Sequence, residues 1–273
     1  MAHQWWAHQV IGGNVQGATL LSEVLAQYSS LQVLRGVYGE AALRKYRRYE
    51  LDEYLGGRAN ERKKEVPLAL VENQGYLHYN KGAIVMEALR EYVGEAKLNA
   101  ALAAFVRDYK FQRPPFVNSP AFMRYLRSAV PDSLQYLVSD LFEDIVLYDS
   151  KALSAEIVKL GDGRYRTTVT LALRKLRADS LGGETPLPLR DYLPVAALGK
   201  GDSVLARRMV LADRDTVTVE LVSEGEPLKA GVDPEYYLID KRPEDNLAKC
   251  GGGKRAAEKE APSGGVRIGI GTD

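Results

Sequence analysis

Two residue types near the start of the chain could do metal chemistry. His3 lies in the aromatic-rich run Met1–Val10, Glu23 follows on a second apolar-periodic segment, and the glycines Gly12 and Gly13 break the chain between them. Imidazole and carboxylate are both good zinc ligands, and a catalytic zinc site needs three protein ligands with a water in the fourth position. His8 does not belong to that set. Five residues after His3, it points about 140° away round a helix of ordinary pitch, so the two cannot chelate one ion together. A histidine beside Trp5 and Trp6 also reads as a packed, hydrogen-bonded side chain. Glu23 shares its predicted face with Thr19, Ala26, Gln27 and Ser30, which could line a cleft or simply meet solvent.

The elements that would position these groups can be read from periodicity. A helix is predicted from residue 17 to about 36, closed by Gly36, and another over Glu40–Tyr54, closed by Gly56 and Gly57. Apolar residues then recur at helical spacing over Val85–Val93 and Leu98–Tyr109,. Pro114 and Pro115 stop the latter. Ser119 suits an N-cap with Pro120 at the first helical position, for a helix to Val130. One more helix opens at Asp132 or Ser133 and runs to about Asp144. Past Tyr148 the period changes to two. Tyr165, Thr167, Val169, Leu171 and Leu173 alternate with polar neighbours, Gly161–Gly163 makes a hairpin turn to a strand over Ser154–Leu160, and Val217–Leu221 alternates again,. The expected fold class is α+β: a helical part over 1–148, then an antiparallel β-sandwich over 151–242. Residues 243–273 become rich in Gly, Lys and Glu and are expected to be a disordered tail.

Composition excludes some functions. A net charge of +1 gives no electrostatic case for nucleic acid,. The basic runs Arg44–Arg48 and Arg62–Lys64 are interrupted or flanked by acids, a pattern that suits solvated faces. Cys250 is the only cysteine, so no internal disulfide can form,. No run of eighteen or more apolar residues suggests a membrane span, and no signal peptide is visible.

The run His3–Val10, followed by Val15–Glu23, resembles the gluzincin zinc aminopeptidases (aminopeptidase N-like), and is most similar to the bacterial branch often joined to membrane-transporter permeases. The resemblance extends over residues 1 to about 246. In that family the ligands are the two His of H-E-x-x-H and a Glu on the next helix, with the motif Glu as general base. Carried over, His3 matches the second His and Glu23 the third ligand. Gln4 to Ser22 intervene, one residue more than the family pattern, so the strictly spaced position is Ser22, which is no zinc ligand. The loop Ile11–Asn14 can absorb the extra residue. Tyr79-Asn80-Lys81-Gly82 resembles the family's Tyr-x-Lys-Gly, whose Tyr hydrogen-bonds the oxyanion of the tetrahedral intermediate. Lys81 is expected to be a local ion-pair or cap partner.

The resemblance implies a helical thermolysin-like catalytic-domain remnant, a β-sandwich after it, a peptide substrate and zinc as cofactor. The first His, the general-base Glu and the segment that recognises a free amino terminus would lie upstream of Met1. The chain is therefore expected to be the C-terminal portion of a metallopeptidase, inactive alone and holding zinc weakly or not at all. Two alternatives stand beside it. One is a non-catalytic binding module for a membrane partner such as a permease; the other is a fragment completed by a separately encoded N-terminal half. The side of a membrane on which it works is left open.

Overall fold

A computed structural model describes residues 1–252 of the chain. Six α-helices come first: α1 (Leu25–Tyr38), α2 (Glu40–Ala59), α3 (Gly82–Val93), α4 (Glu95–Tyr109), α5 (Ser119–Ala129) and α6 (Gln135–Val138). The strands are β1 (Val146–Tyr148), β2 (Lys151–Lys159), β3 (Tyr165–Ala172), β4 (Lys175–Ala178), β5 (Glu184–Leu187), β6 (Asp191–Leu198), β7 (Val204–Ala212), β8 (Thr216–Ser223), β9 (Lys229–Val232), β10 (Leu247–Lys249) and β11 (Gly251–Gly252). The fold class is α+β.

The strands form three sheets, ordered β1-β4-β5, β10-β9-β6-β7 and β11-β2-β3-β8. The two four-stranded sheets enclose a core of Val169, Leu171, Val195, Val219, Leu221 and Val232. Alternation explains it: Thr167, Val169 and Leu171 face inward while Arg166, Thr168 and Thr170 face outward,. The helices share a second core that includes Leu25, Leu51, Ile84, Leu89, Phe105, Phe122 and Phe142. Strand β1 joins the two. Leu147 points into the helical core, whereas Val146 and Tyr148 point into the sandwich.

Several boundaries differ from the sequence reading. Helix α1 runs through Gly36 to Tyr38, because the left-handed residue that ends it is Gly39 (φ 79°), whose N–H returns to the Arg35 carbonyl,. Helix α2 runs through Gly56 and Gly57 to Ala59. Gly57 serves packing: a Cβ there would lie 2.3 Å from the Tyr76 Cβ. Asn118, not Ser119, caps α5, its side chain accepting from the Ala121 N–H at 3.1 Å, while the Ser119 hydroxyl donates to the Ala69 carbonyl.

Residues 243–252 are not a disordered tail. β10 pairs antiparallel with β9 and β11 pairs parallel with β2, their backbone groups satisfied by free sheet edges despite few apolar side chains,. The rest of the expected tail lies outside the described residues. Nor is Arg44–Arg48 a solvated face throughout. Arg47 is fully buried, bonded to Glu40, Glu87 and Glu235, and so ties α2 to the segment before β10. Among the described residues no helix is long and apolar enough to cross a membrane.

Candidate active site

Two π-helical turns carry the groups of interest. Leu20–Val24 precedes α1 and presents Glu23; Tyr76–Lys81 precedes α3 and presents Tyr79. Each turn of this kind holds one residue more than an α-turn and rotates the side chains it carries. Glu23 is carried by such a turn and so stands out of ordinary α-helical register. The loop expected to absorb the extra residue between His3 and Glu23 is pinned, with the Gly13 N–H donating to the Val117 carbonyl at 2.7 Å.

The two turns lie against each other because Gly82 has no side chain. A Cβ there would sit 2.8 Å from a Val24 methyl carbon. The base of the second turn is held by a buried ion cluster. Lys81, fully buried, lies 3.2 Å from Glu65 Oε1, which also accepts from the Tyr54 hydroxyl at 2.7 Å, and Arg58 bonds the other oxygen. Burial pulls the Lys81 ammonium below its ordinary pKa, and the Glu65 charge opposes that,. The expected local ion pair or cap is not what Lys81 makes: its partner Glu65 lies 16 positions earlier, and the pair is buried.

The three residues singled out from the sequence meet. Tyr79 OH donates to Glu23 Oε2 at 2.7 Å, and His3 Nε2 stands 3.6 Å from the same oxygen. The segment bearing His3 is a single 3₁₀ turn, Ala2–Gln4, rather than a longer helix, since Ala7 turns the chain at φ 82°. Trp6 is buried, its indole N–H donating to Ser29 Oγ at 2.9 Å, while Trp5 is exposed. His8 is exposed.

The chemistry of this trio follows from its protons. His3 Nδ1 is 3.1 Å from the Trp6 carbonyl, which can only accept, so Nδ1 carries a hydrogen,. In the neutral ring Nε2 then presents a lone pair towards the Glu23 carboxylate. At 3.6 Å no hydrogen bond spans the gap,. Such an arrangement suits either an imidazolium–carboxylate pair or a shared cation. Nitrogen and oxygen donors each about 2.0–2.1 Å from one zinc at the tetrahedral angle stand about 3.4 Å apart, close to this separation. The donor set therefore fits zinc in type and spacing, but with two ligands. Among the described residues no group of three or more His, Cys, Asp or Glu side chains is placed to hold a metal.

Tyr79 is half-exposed, and its bond to Glu23 raises the phenol pKa, since the carboxylate accepts only from the neutral form,. His78 is a neighbour that the sequence did not single out. Its ring meets that of Tyr79 edge-on, with centroids 4.3 Å apart, and its Nδ1–H donates to the Glu72 carbonyl. Burial holds the His78 pKa down, which favours a neutral ring beside the phenol. Adjacency in sequence was its only signal.

Compared with known proteins, the chain matches no family model and no curated protein.

Proposed function

We propose that His3, Glu23 and Tyr79 form one side of a zinc aminopeptidase-type site for peptide hydrolysis. The observation that carries this reading is convergence. Residues chosen on motif grounds, and separated by 20 and 56 positions, share a single carboxylate oxygen, Glu23 Oε2.

His3 and Glu23 would hold the metal. The Trp6 carbonyl keeps the hydrogen of His3 on Nδ1, which orients Nε2 as the ligand atom,. Held there, zinc would supply Lewis-acid polarisation of the scissile carbonyl and acidification of water. Tyr79 serves as the donor to the oxyanion. Its bond to Glu23 favours the neutral phenol at rest, and its exposure leaves the hydroxyl open to a substrate oxygen. One such donor is worth about 3–4 kcal/mol of transition-state stabilisation.

Two components of the reaction are not assembled on this trio among the described residues: a third metal ligand, and a general base other than the neighbouring His78 ring. Lack of a base alone costs about 10²–10⁴ in rate. In this reading both would be supplied by another polypeptide segment, and this chain alone would turn over slowly if at all. A second reading, a fragment completed by a separate half, is favoured by the exposed Trp5, Ile11 and Val15 on the segment that follows His3,. Association with a membrane permease belongs to the same proposal.

The test is elemental analysis of chelator-washed chain reloaded with zinc, with hydrolysis of N-terminally free peptides measured in parallel. Zinc held weakly by wild type and not at all by His3→Ala, without turnover, is the expected outcome. Equal zinc in both proteins would remove His3 from the site.

A further inference from the structure

A groove of about 1480 Å³ runs between α1, α2 and the turn that follows β6, and one carboxylate on its wall has no cation among the described residues. Glu40 is bonded to Arg35 and Arg47, Asp202 to Arg44 and Lys229, and Glu235 to Arg47. Glu50 is different. It is 4% exposed, and its two oxygens accept only from carboxamides, Gln27 Nε2 at 2.7 Å and Asn80 Nδ2 at 2.6 Å.

Two amide donors fill about half of the lone-pair positions of a carboxylate and leave its charge uncompensated. An ionised carboxylate in so enclosed a place is costly unless paired. Burial correspondingly raises the Glu50 pKa, opposed by the Asn80 and Gln27 hydrogen bonds and by no cation among the described residues. The wall beside it offers the exposed aromatic rings of Tyr46 and Tyr49, faces that attract cations,. The groove also has cations of its own. Arg44 and Arg48 are bonded to Asp202 and Asp52, and Lys45 is exposed.

Glu50 also adjoins the candidate site. Gln27 lies one helical turn beyond Glu23, and Asn80 follows Tyr79 directly. We infer that Glu50, presented by Gln27 and Asn80 at the wall of this groove, is a subsite for the positively charged side chain of a bound peptide. That the ligand is a peptide rests on the peptidase reading; that it carries a cation rests on Glu50.

Calorimetric titration of the full chain with the tripeptides Lys-Ala-Ala and Ala-Lys-Ala, each against its norleucine counterpart, tests this. At least one lysine peptide should bind about tenfold tighter than its partner, and Glu50→Gln should abolish the preference while His3→Ala leaves it. A thermal melt establishes that E50Q is folded. Should it not fold, the side-chain carboxyl ¹³C signal of Glu50 in wild type must move on lysine-peptide binding and stay still with norleucine. Equal affinities, no binding of either peptide, or a preference unchanged in a folded E50Q would overturn the subsite. Zinc content, measured on the same samples, separates the two ideas. Preference without zinc retains the subsite and sinks the peptidase reading, whereas zinc without preference does the reverse.

Discussion

The Tyr79 hydroxyl and Glu23 Oε2 lie 2.7 Å apart, although 56 positions separate them in the chain. The carboxylate that would bind a metal is thereby the resting partner of the phenol that would bind an oxyanion. Glu23→Gln should therefore lower the pKa of one tyrosine, because the acceptor that favours the neutral phenol is weakened,. Site-specific fluorotyrosine at position 79, titrated by ¹⁹F NMR, reads this directly. An unchanged pKa would mean that the pair does not persist in solution.

Contact between the two π-helical turns depends on Gly82. Gly82→Ala pushes a methyl group into Val24 and should cost about 1–3 kcal/mol,. Adding Val24→Ala removes the obstacle, so the double variant should lose less than the sum of the single losses. Urea unfolding of the four proteins measures the coupling, and strict additivity would contradict the packing described.

Lys81 and Glu65 form a buried pair, and breaking such a pair from one side costs about 3–5 kcal/mol,. Lys81→Met should fall at the lower end, since Tyr54 and Arg58 still bond to Glu65. The same denaturation experiment checks it. A loss below about 1 kcal/mol would place Lys81 in solvent.

Asp233 and Asp240 give the fold a pH dependence. Burial pushes Asp233 up to about 7, although it accepts the Leu238 and Tyr237 N–H groups, and pushes Asp240 up to about 6. Arg47 faces Asp233 and lowers it, and Asp240 raises it. Unfolded, both titrate near 3.9. The folded state holds these protons more tightly, so the contribution to stability is fully present below about pH 4 and is lost as pH rises through about 6 and 7. Between those limits each group contributes a slope of at most about 1.4 kcal/mol per pH unit. Chemical denaturation at pH 5 and pH 8 should show the native state losing ground at the higher pH on this account. Asp233→Asn should shrink the difference, and an undiminished difference would exclude Asp233 as its source.

Period and punctuation made much of this architecture legible. The apolar spacing of Leu98–Tyr109 and the alternation of Tyr165–Leu173 reflect faces turned to one core, and local sequence records that. His3, Glu23 and Tyr79 were legible as candidates because motifs marked them. What local sequence does not record is which distant group completes a contact. Gly57 looks like a helix stop until Tyr76 is placed against it, and Arg47 looks solvated until Glu87 and Glu235 arrive from elsewhere. The π register at Leu20–Val24 and Tyr76–Lys81 escaped for a different reason. Helical periodicity assumes 3.6 residues per turn, so a single wider turn leaves no mark in the apolar spacing,.

The most direct test of a half-site for zinc is the imidazole ¹⁵N spectrum of the three histidines during zinc titration. The account predicts that His3 Nε2 shifts with one zinc per chain, that His8 and His78 stay still, and that Glu23→Gln weakens the effect at least tenfold. A zinc-induced shift at His8 or His78 instead, or none at His3 at saturating metal, would contradict it.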